Sequence, residues 1–109
     1  MPIDQLGFFE EQVLTMVALL GEDAYGKLIV EEIASQLNRK ANLSSVHVTL
    51  YRLEDKGLVK SHMGGATKSR GGRRKRIFTI TSAGISTLRT MKESRESLWK
   101  LIPQLKMHL

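Results

Sequence analysis

The sequence predicts a mostly α-helical protein with one small β-hairpin, in the order helix, helix, helix, strand, strand, helix. Three observations support this fold class. Apolar residues recur at three- and four-residue steps through the first half of the chain, as in amphipathic helices. Two short runs rich in β-branched residues then flank a segment with four glycines, which is typical of a hairpin. From residue 82 onward the apolar residues return to helical spacing.

The first two helices are predicted from their apolar stripes. The first runs from about Gln5 to Leu20 and ends at the turn-forming residues 21–23. Its stripe consists of Leu6, Phe9, Val13, Val17 and Leu20. The second runs from about Ala24 to Leu37, and its inward face consists of Leu28, Ile29, Ile33 and Leu37. Both helices therefore present one apolar face to a shared core.

The third helix has the clearest start and stop signals. Asn42 or Ser44 can cap its first turn, and Asn42 is favoured because it leaves an uninterrupted inward stripe. That stripe consists of Leu43, Val46, Leu50 and Leu53. Gly57 stands where a glycine in the left-handed conformation ends a helix. With the stripe buried, the residues that point outward are His47, Val48, Tyr51, Arg52 and Asp55.

The remaining elements are a hairpin and a final helix. Residues 58–63 and 76–81 are predicted as paired strands joined by a long basic tip. Thr81 or Ser82 can cap the last helix. The apolar residues of that helix are Ile85, Leu88, Met91, Leu98, Ile102 and Leu105. Pro103 is expected to kink or end its final part.

Three helices followed by a hairpin form the winged helix-turn-helix arrangement. In that arrangement the third helix enters the major groove of DNA, and the hairpin, called the wing, contacts the backbone or the minor groove. The chain therefore divides into a DNA-binding domain, residues 1–81 with the wing at about 58–81, and a C-terminal helical region, residues 82–109.

Positive charge is concentrated in one part of the chain. Of the seventeen Lys and Arg residues, eleven lie between Arg39 and Arg76, where there are only two acidic residues. Residues 60–76 carry seven basic side chains and no acidic one. A glycine-containing basic loop beside a short helix suits a polyanion, and double-stranded DNA is the partner that fits best.

Ten residues are expected to contact DNA. On the third helix they are Ser45, His47, Tyr51 and Arg52. Arg bonds bidentately to guanine, and His or Ser donates to acceptors in the groove. In the wing the expected phosphate ligands are Lys60, Lys68, Arg70, Arg73, Arg74 and Lys75. Two alternatives stay open: Tyr51 packs against the wing instead, and Arg76 faces either the sheet or the duplex.

Several classes of function are disfavoured. The chain has no cysteine, which excludes disulfides, thiolate catalysis and Cys-ligated zinc. No second ligand stands at helical spacing from His47, so neither a metal nor another cofactor is expected. Residues 64–69 look like a phosphate-binding loop, but the spacing of the motif is wrong. Adjacent glutamate pairs point in different directions and the histidines are scattered, so no enzyme is expected.

Length and hydropathy indicate how many domains the chain forms and where in the cell it is expected. At 109 residues it is expected to form one domain with one core. The apolar run from Val13 to Leu20 is too short to span a bilayer. Met1 is not followed by a basic region and a long apolar run, so no signal peptide is expected. A cytoplasmic protein that does not insert into membranes is the resulting prediction.

Three segments resemble the PadR family of bacterial transcriptional regulators. They are Tyr25-Gly26 at the start of the second helix, residues 52–59 (RLEDKGLV) at the end of the third, and residues 71–76 (GGRRKR) leading into residues 80–84 (ITSAG). The likeness spans about residues 10–90, and the single C-terminal helix is similar to that of the smaller subfamily. His47 stands where relatives usually carry Tyr.

The resemblance implies a homodimeric DNA-binding repressor that pairs through its terminal helix. The residues expected in the dimer contact are Ile85, Leu88, Leu98, Trp99, Ile102 and Leu105. Many relatives release DNA when a small aromatic or drug-like effector binds, and Trp99 with Arg95 would form such a site here. The alternative for Trp99 is packing in the dimer core without a ligand.

Two other functions compete with a ligand-free repressor. One is a ligand sensor in which regulation depends on the groove between the two subunits. The other is a winged-helix protein-interaction module whose basic loop meets an acidic protein. Such a module would have no detectable affinity for DNA at physiological salt.

Overall fold

The computed structural model describes residues 6–64 and 74–106. Its helices are α1 (Phe8–Leu20), α2 (Gly26–Leu37), α3 (Leu43–Asp55), α4 (Ser82–Trp99) and the short α5 (Pro103–Lys106). Its strands are β1 (Val59–Met63) and β2 (Arg76–Ile80), and a 3₁₀ turn at Gly21–Asp23 follows α1. The predicted fold class, mostly helical with one antiparallel hairpin, is confirmed. The arrangement is a winged helix.

The core forms where α1, α2 and α3 meet and β2 covers them. Leu14, Ile29 and Leu50, one from each helix, are completely buried, as is Phe78 of β2. Each such side chain contributes about 1.5–3 kcal/mol relative to an exposed position. The hairpin is therefore attached to the helical unit through the core as well as through the chain.

Four apolar positions differ from the predicted pattern. Leu43 and Leu37 are predicted to face inward but are 48% and 39% exposed. Leu43 is the first residue of α3 and Leu37 the last of α2, and helix ends lie at the surface of a small domain. Leu14 and Met16 fall outside the predicted stripe of α1 but are buried. Because α1 packs against α2, α3, β2 and α4, more than one of its faces is covered.

Both predicted ends of α3 are confirmed. Asn42 Oδ1 accepts a hydrogen bond from the Ser45 amide at 3.2 Å and caps the first turn. Gly57 has a φ of 77°, in the left-handed region. The Gly57 amide donates to the Glu54 carbonyl, and the Leu58 amide donates to the Leu53 carbonyl. This pair of hydrogen bonds is the Schellman motif, which stops the helix and turns the chain toward β1.

The hairpin has a fixed register and a third neighbour. Its strands pair antiparallel with Val59 opposite Ile80, Ser61 opposite Phe78 and Met63 opposite Arg76. The Phe78 amide donates to the Ala24 carbonyl at 2.9 Å, so the segment before α2 bonds to β2. The Gly64 amide donates to the Lys75 carbonyl at 2.6 Å, which carries the pairing beyond β1.

Thr81 joins α4 to the rest of the fold. Its Oγ1 accepts from the Gly84 amide at 3.1 Å and donates to the Gly57 carbonyl at 2.7 Å. The same side chain thus caps α4 and holds its start against the end of α3. Gly84 is buried, and a Cβ at that position would collide with the Leu58 carbonyl. The close approach of α4 to the root of the wing therefore requires glycine.

The distal part of α4, from residue 92 onward, is exposed. The helix ends at Trp99, four residues before Pro103, which begins α5. The predicted helix is therefore too long, since Ile102 and Leu105 lie outside α4. Residues 92–104 are exposed throughout, and Leu98 is 65% accessible. No helix within the described residues is long and apolar enough to cross a membrane.

Candidate nucleic-acid interface

A single line of exposed residues runs along the outward face of α3. Ser44, Val48, Tyr51 and Asp55 follow one another at steps of three and four residues, which places them on one side of a helix. Val48 is 51% exposed and Tyr51 45%. The capping role goes to Asn42, so the Ser44 hydroxyl is not needed at the helix start.

Tyr51 packs against the wing and also stays accessible on the outward face of α3. Its ring meets the Phe78 ring nearly edge-on, with 5.9 Å between centroids and an interplanar angle of 75°. Phe78 belongs to the wing, so Tyr51 does pack against the wing. Nearly half of the Tyr51 side chain nevertheless remains exposed on α3. Its aromatic edge is fixed by Phe78 while its outer part stays accessible.

His47 does not point straight outward, in contrast to the prediction. It is half-buried on the flank of α3, and its ring lies against the backbone of Gly26 at the start of α2. A side chain at position 26 would collide with that imidazole. The His47 ring also lies 6.5 Å from the Tyr51 ring, between centroids. His47 is therefore placed at the junction of the two helices and reaches solvent only in part.

Arg52 and Ser45 are exposed on α3, as predicted. Arg52 lies on the flank of α3 near the start of α1, where its charge acts on the Glu10 carboxylate. On the same flank Lys56 Nζ forms an ion pair with Glu10 Oε2 at 3.0 Å. Arg52 thus stays accessible with an acidic side chain nearby, while Lys56 is held against α1.

The surroundings of the Glu10 carboxylate shift its pKa. Its partial burial raises the pKa, but the hydrogen bond from the Gly7 amide, the Lys56 ammonium and the Arg52 charge together outweigh burial. The net result is a pKa below the ordinary value of 4.5. The carboxylate is therefore stabilised in its charged form, which favours the ion pair that joins α1 to α3.

Two basic residues at the root of the wing are tied to the fold. Arg74 Nε donates to the Gly64 carbonyl at 3.2 Å, and the side chain is exposed. Lys75 Nζ lies 4.2 Å from the centroid of the Tyr25 ring, in a cation–π contact. These contacts therefore hold both side chains at the root of the hairpin. Lys68, Arg70 and Arg73, which are also predicted to bind phosphate, lie outside the described residues.

The two faces of the hairpin carry different polar residues. Residues that pair across antiparallel strands point to the same face, so Ser61 and Arg76 lie on the face that contains the buried Phe78. Lys60 directly precedes Ser61 on β1, so it lies on the opposite face, where it is exposed. The register therefore does not bring Lys60 beside α3.

Arg76, whose orientation the sequence leaves open, faces the α3 side. Its Nη1 donates to Ser61 Oγ at 3.0 Å, and Ser61 Oγ in turn donates to Glu54 Oε2 at 2.8 Å. Ser44 and Val48 are not among the contacts that the sequence predicts, although both are exposed on α3. Both residues stand at helical spacing from Tyr51 and Asp55, so the sequence contains the pattern that places them on one face. The position of Arg76, in contrast, depends on the strand register.

Arg95 and Trp99 meet in an open groove on α4. The groove has a volume of about 580 Å³ and is lined by Lys92, Arg95, Glu96, Trp99 and Lys100. Trp99 is 56% exposed. Arg95 Nη1 forms an ion pair with Glu11 Oε2 at 2.7 Å, which ties α4 to α1. No group of three or more metal-binding side chains occurs in residues 6–64 and 74–106.

Comparison with known families identifies the same group as the sequence motifs. The model of the transcriptional regulator PadR-like family matches residues 13–90. That match contains α2, α3, the wing and the first half of α4, together with most of α1. No curated protein sequence gives a significant match.

Solved structures share the fold over nearly the whole chain. A PadR family transcription regulator from Clostridium difficile R20291 has a TM-score of 0.74 and 22% identity, covering 91% of this chain and 98% of that one. A transcriptional regulator from Clostridium thermocellum has a TM-score of 0.69 and 24% identity, covering 90% and 89%. A PadR family regulator from Eggerthella lenta DSM 2243 has a TM-score of 0.66 and 22% identity, covering 85% and 79%.

Proposed function

The chain belongs to the PadR-like family of transcriptional regulators, and on that premise we propose that it is a sequence-specific DNA-binding repressor that works as a homodimer. The observation that carries the proposal is the exposed line of Ser44, Val48 and Tyr51 on α3, directly beside a wing with a basic root. Arg74 and Arg76 are both exposed at that root. One surface thus offers short groove-reading side chains and cations for phosphate.

The dimensions of α3 suit the major groove. An α-helix with its side chains is about 10–12 Å across, and the major groove of B-DNA is about 12 Å wide. In the groove, Arg52 would bond to guanine, and Val48 would contact a thymine methyl group. The Ser44 and Ser45 hydroxyls would bond to base edges or phosphates. The wing would then follow the adjacent backbone, as it does in winged helices.

Selection of bound fragments from a random DNA pool tests sequence-specific binding. We expect one sequence family to be enriched, with affinity at least about 10³-fold above that for random DNA at physiological salt. Fluorescence anisotropy with labelled duplexes measures both affinities. Absence of any duplex binding at physiological salt would contradict the proposal and favour a protein-interaction module, whose basic wing meets an acidic protein.

The proposed dimer forms through residues 82–109, with a contribution from α1. Trp99 lies one helical turn beyond Arg95, which pairs with Glu11 of α1, on the same side of α4. Leu98 and Leu101 beside it are 65% and 69% exposed. A single chain leaves this apolar surface in water, and exposed apolar surface of this kind marks an association site.

The shape of the chain also favours a partner. Its Cα radius of gyration is 16.1 Å. A compact domain of 100 residues is expected to have about 13 Å. The part of α4 from residue 92 onward, which is exposed, contributes to this excess. Covering α4 with a second copy would convert an extended monomer into a compact assembly. A two-fold arrangement would also present two α3 helices to one duplex.

We place effector binding at the groove lined by Arg95 and Trp99. A small aromatic or drug-like molecule would stack on the Trp99 ring, and it would contact Arg95, whose ion pair with Glu11 joins α4 to α1. Disturbing that ion pair would change the angle between the dimerisation helix and the DNA-binding unit. The spacing of the two α3 helices, and thus operator affinity, would change with it.

Titration with phenolic acids and hydrophobic cations tests the effector. Trp99 is the only tryptophan, so its fluorescence reports binding directly. We expect saturable quenching that accompanies release of labelled operator. No quenching by any compound would instead assign Trp99 to packing in a ligand-free dimer, and quenching without any change in operator affinity would show a bound molecule that does not regulate DNA binding.

A further inference from the structure

Three polar side chains connect the end of α3 to both strands of the wing. The Ser61 hydroxyl donates to Glu54 Oε2 at 2.8 Å, and the Ser61 amide donates to the same oxygen at 3.2 Å. From the other side, Arg76 Nη1 donates to Ser61 Oγ at 3.0 Å. The hydrogen bonds therefore run in one direction, from the guanidinium on β2 through the hydroxyl on β1 to the carboxylate on α3.

The direction of these bonds sets the position of Arg76. A serine hydroxyl has one proton and two lone pairs. Because the Glu54 carboxylate can only accept, the Ser61 proton points to it and the lone pairs are left for the Arg76 guanidinium. Arg76 is thereby held without an ion pair, since among the residues the structure describes no carboxylate lies within ion-pair distance of it. Its positive charge stays available to an external anion.

The strand register places Arg76 between the wing and α3. On the same face of β2, two residues nearer the core, Phe78 is completely buried and meets the half-exposed Tyr51 of α3. Beyond Phe78 this face leaves the core, and the Arg76 side chain is exposed. A duplex that lies against both α3 and the wing passes its backbone through this region.

We propose that Arg76 binds a phosphate of the DNA backbone and that Ser61 and Glu54 hold its guanidinium in position. The inference rests on the proposed DNA binding and names a contact within it. A guanidinium has five N–H donors. The single bond to Ser61 leaves the others for the bidentate contact that arginine makes with phosphate. Holding the side chain in advance reduces the conformational entropy lost on binding.

Removing Arg76 tests the phosphate contact. Arg76→Ala should weaken binding to operator and random DNA alike, by roughly tenfold. It should also lower the slope of log K against log salt by about 0.9, the value for one phosphate contact. Arg89→Ala removes one exposed arginine from α4 and serves as the charge-matched control, with the slope unchanged. Arg76→Lys keeps the charge and should retain the slope while losing affinity.

Removing Glu54 or Ser61 separates positioning from simple electrostatics. An acidic side chain near DNA repels phosphate, so repulsion alone predicts that Glu54→Ala binds more tightly. Positioning of Arg76 predicts the opposite, a loss of roughly threefold, and the same loss in Ser61→Ala. Glu54→Gln keeps an acceptor for Ser61 and should retain most of the affinity. In an Arg76→Ala background, neither Glu54→Ala nor Ser61→Ala should weaken binding any further.

The outcomes distinguish this inference from the function on which it rests. If the unaltered protein does not bind duplex DNA even at low salt, the proposed function is wrong and the role of Arg76 with it. If the protein binds DNA and Arg76→Ala keeps the full salt slope, only the phosphate contact is wrong. Tighter binding by Glu54→Ala overturns the positioning role. Thermal melting checks the fold. Arg76→Gln, which keeps a donor for Ser61, replaces Arg76→Ala if that variant unfolds, and Ser61→Ala decides the positioning role if Glu54→Ala unfolds.

Discussion

At the residue scale, a few contacts decide how the elements meet. Thr81 bridges the start of α4 and the end of α3 through one hydroxyl. Gly84 allows α4 to approach the Leu58 carbonyl closely, and Glu10 ties α1 to Lys56 after α3. None of these residues belongs to the proposed DNA-reading surface. They fix the frame that carries it, and so their effects should appear in stability.

Gly84→Ala should destabilise the fold. Alanine improves helix propensity by about 1 kcal/mol, but the added Cβ overlaps the Leu58 backbone carbonyl, which cannot move aside as a flexible side chain would. We expect a net loss of about 1–3 kcal/mol, as for overpacking in a core. Urea unfolding measures it. Ala83→Gly, on the exposed neighbour, isolates the propensity term, and a Gly84→Ala protein as stable as the original would contradict the close approach.

Glu10 should make stability depend on acid pH. Its pKa in the folded chain lies below the ordinary 4.5. The stabilisation is therefore fully present above pH 4.5 and is lost as the pH falls through the lower folded value. Glu10→Gln should be less stable than the original protein at neutral pH, and the difference should shrink on acidification. Urea unfolding from pH 7 downward measures this, with Glu31→Gln on α2 as the charge control. A difference that does not change with pH would be evidence against it.

The burial of individual side chains is the feature that the sequence predicts least well. A helical stripe correctly places Val46, Leu50 and Leu53 inward, but it gives no sign that Leu43 at the helix end is exposed. It also places His47 outward, because the space above Gly26 exists only after α2 and α3 have packed. Burial depends on what covers a residue, and the period of one helix contains no information on its neighbours.

At the element scale, α3 and the wing were the parts best predicted. Asn42 and Gly57 mark the ends of α3 through local hydrogen bonds and backbone conformation, which a sequence specifies directly. The hairpin strands also follow from their residue types. The strand register was not predictable, since it depends on Phe78 entering the core. That register decides that Arg76 faces α3 while Lys60 lies on the other face.

Arg52→Ala should separate base reading from phosphate binding on α3. The side chain is exposed, so its removal should leave the melting temperature nearly unchanged. If Arg52 bonds to a guanine, its removal should cost about 1–3 kcal/mol of operator-binding free energy, and this loss should depend on the base at one position. The affinity for random DNA should stay unchanged. Anisotropy with single-base operator variants measures this loss. An equal fall in operator and random affinity would show that Arg52 only touches phosphate.

At the scale of the whole molecule, α4 differs from the other elements in how little of it is covered. The domain formed by α1 to β2 has its own core, whereas the distal part of α4 has none. The sequence predicts a terminal helix whose Leu98 and Trp99 belong to a dimer contact, and both residues are exposed in the single chain, as is Leu101. What covers them does not follow from helical spacing, because that spacing shows which residues share a face and not what packs on it.

Leu98→Glu should disrupt the proposed dimer without unfolding the domain. The position is 65% exposed in the single chain, so a charge costs little there, but a carboxylate would be unpaired in an apolar interface. Sedimentation at micromolar concentration should change from dimer to monomer, and operator affinity should fall. Thr90→Glu, exposed elsewhere on α4, should remain dimeric. Sedimentation of the unaltered chain as a monomer would refute the dimer.

Protection of guanine N7 from methylation on the bound operator tests the central claim most directly. N7 lies in the major groove, so it reports whether α3 enters there. A homodimer that inserts two α3 helices should protect two groups of guanines centred about 34 Å apart, or a multiple of that distance, on one face of the duplex. A single protected group would contradict the paired reading. Full reactivity of every major-groove N7 in a saturated complex would contradict the placement of α3 in the groove.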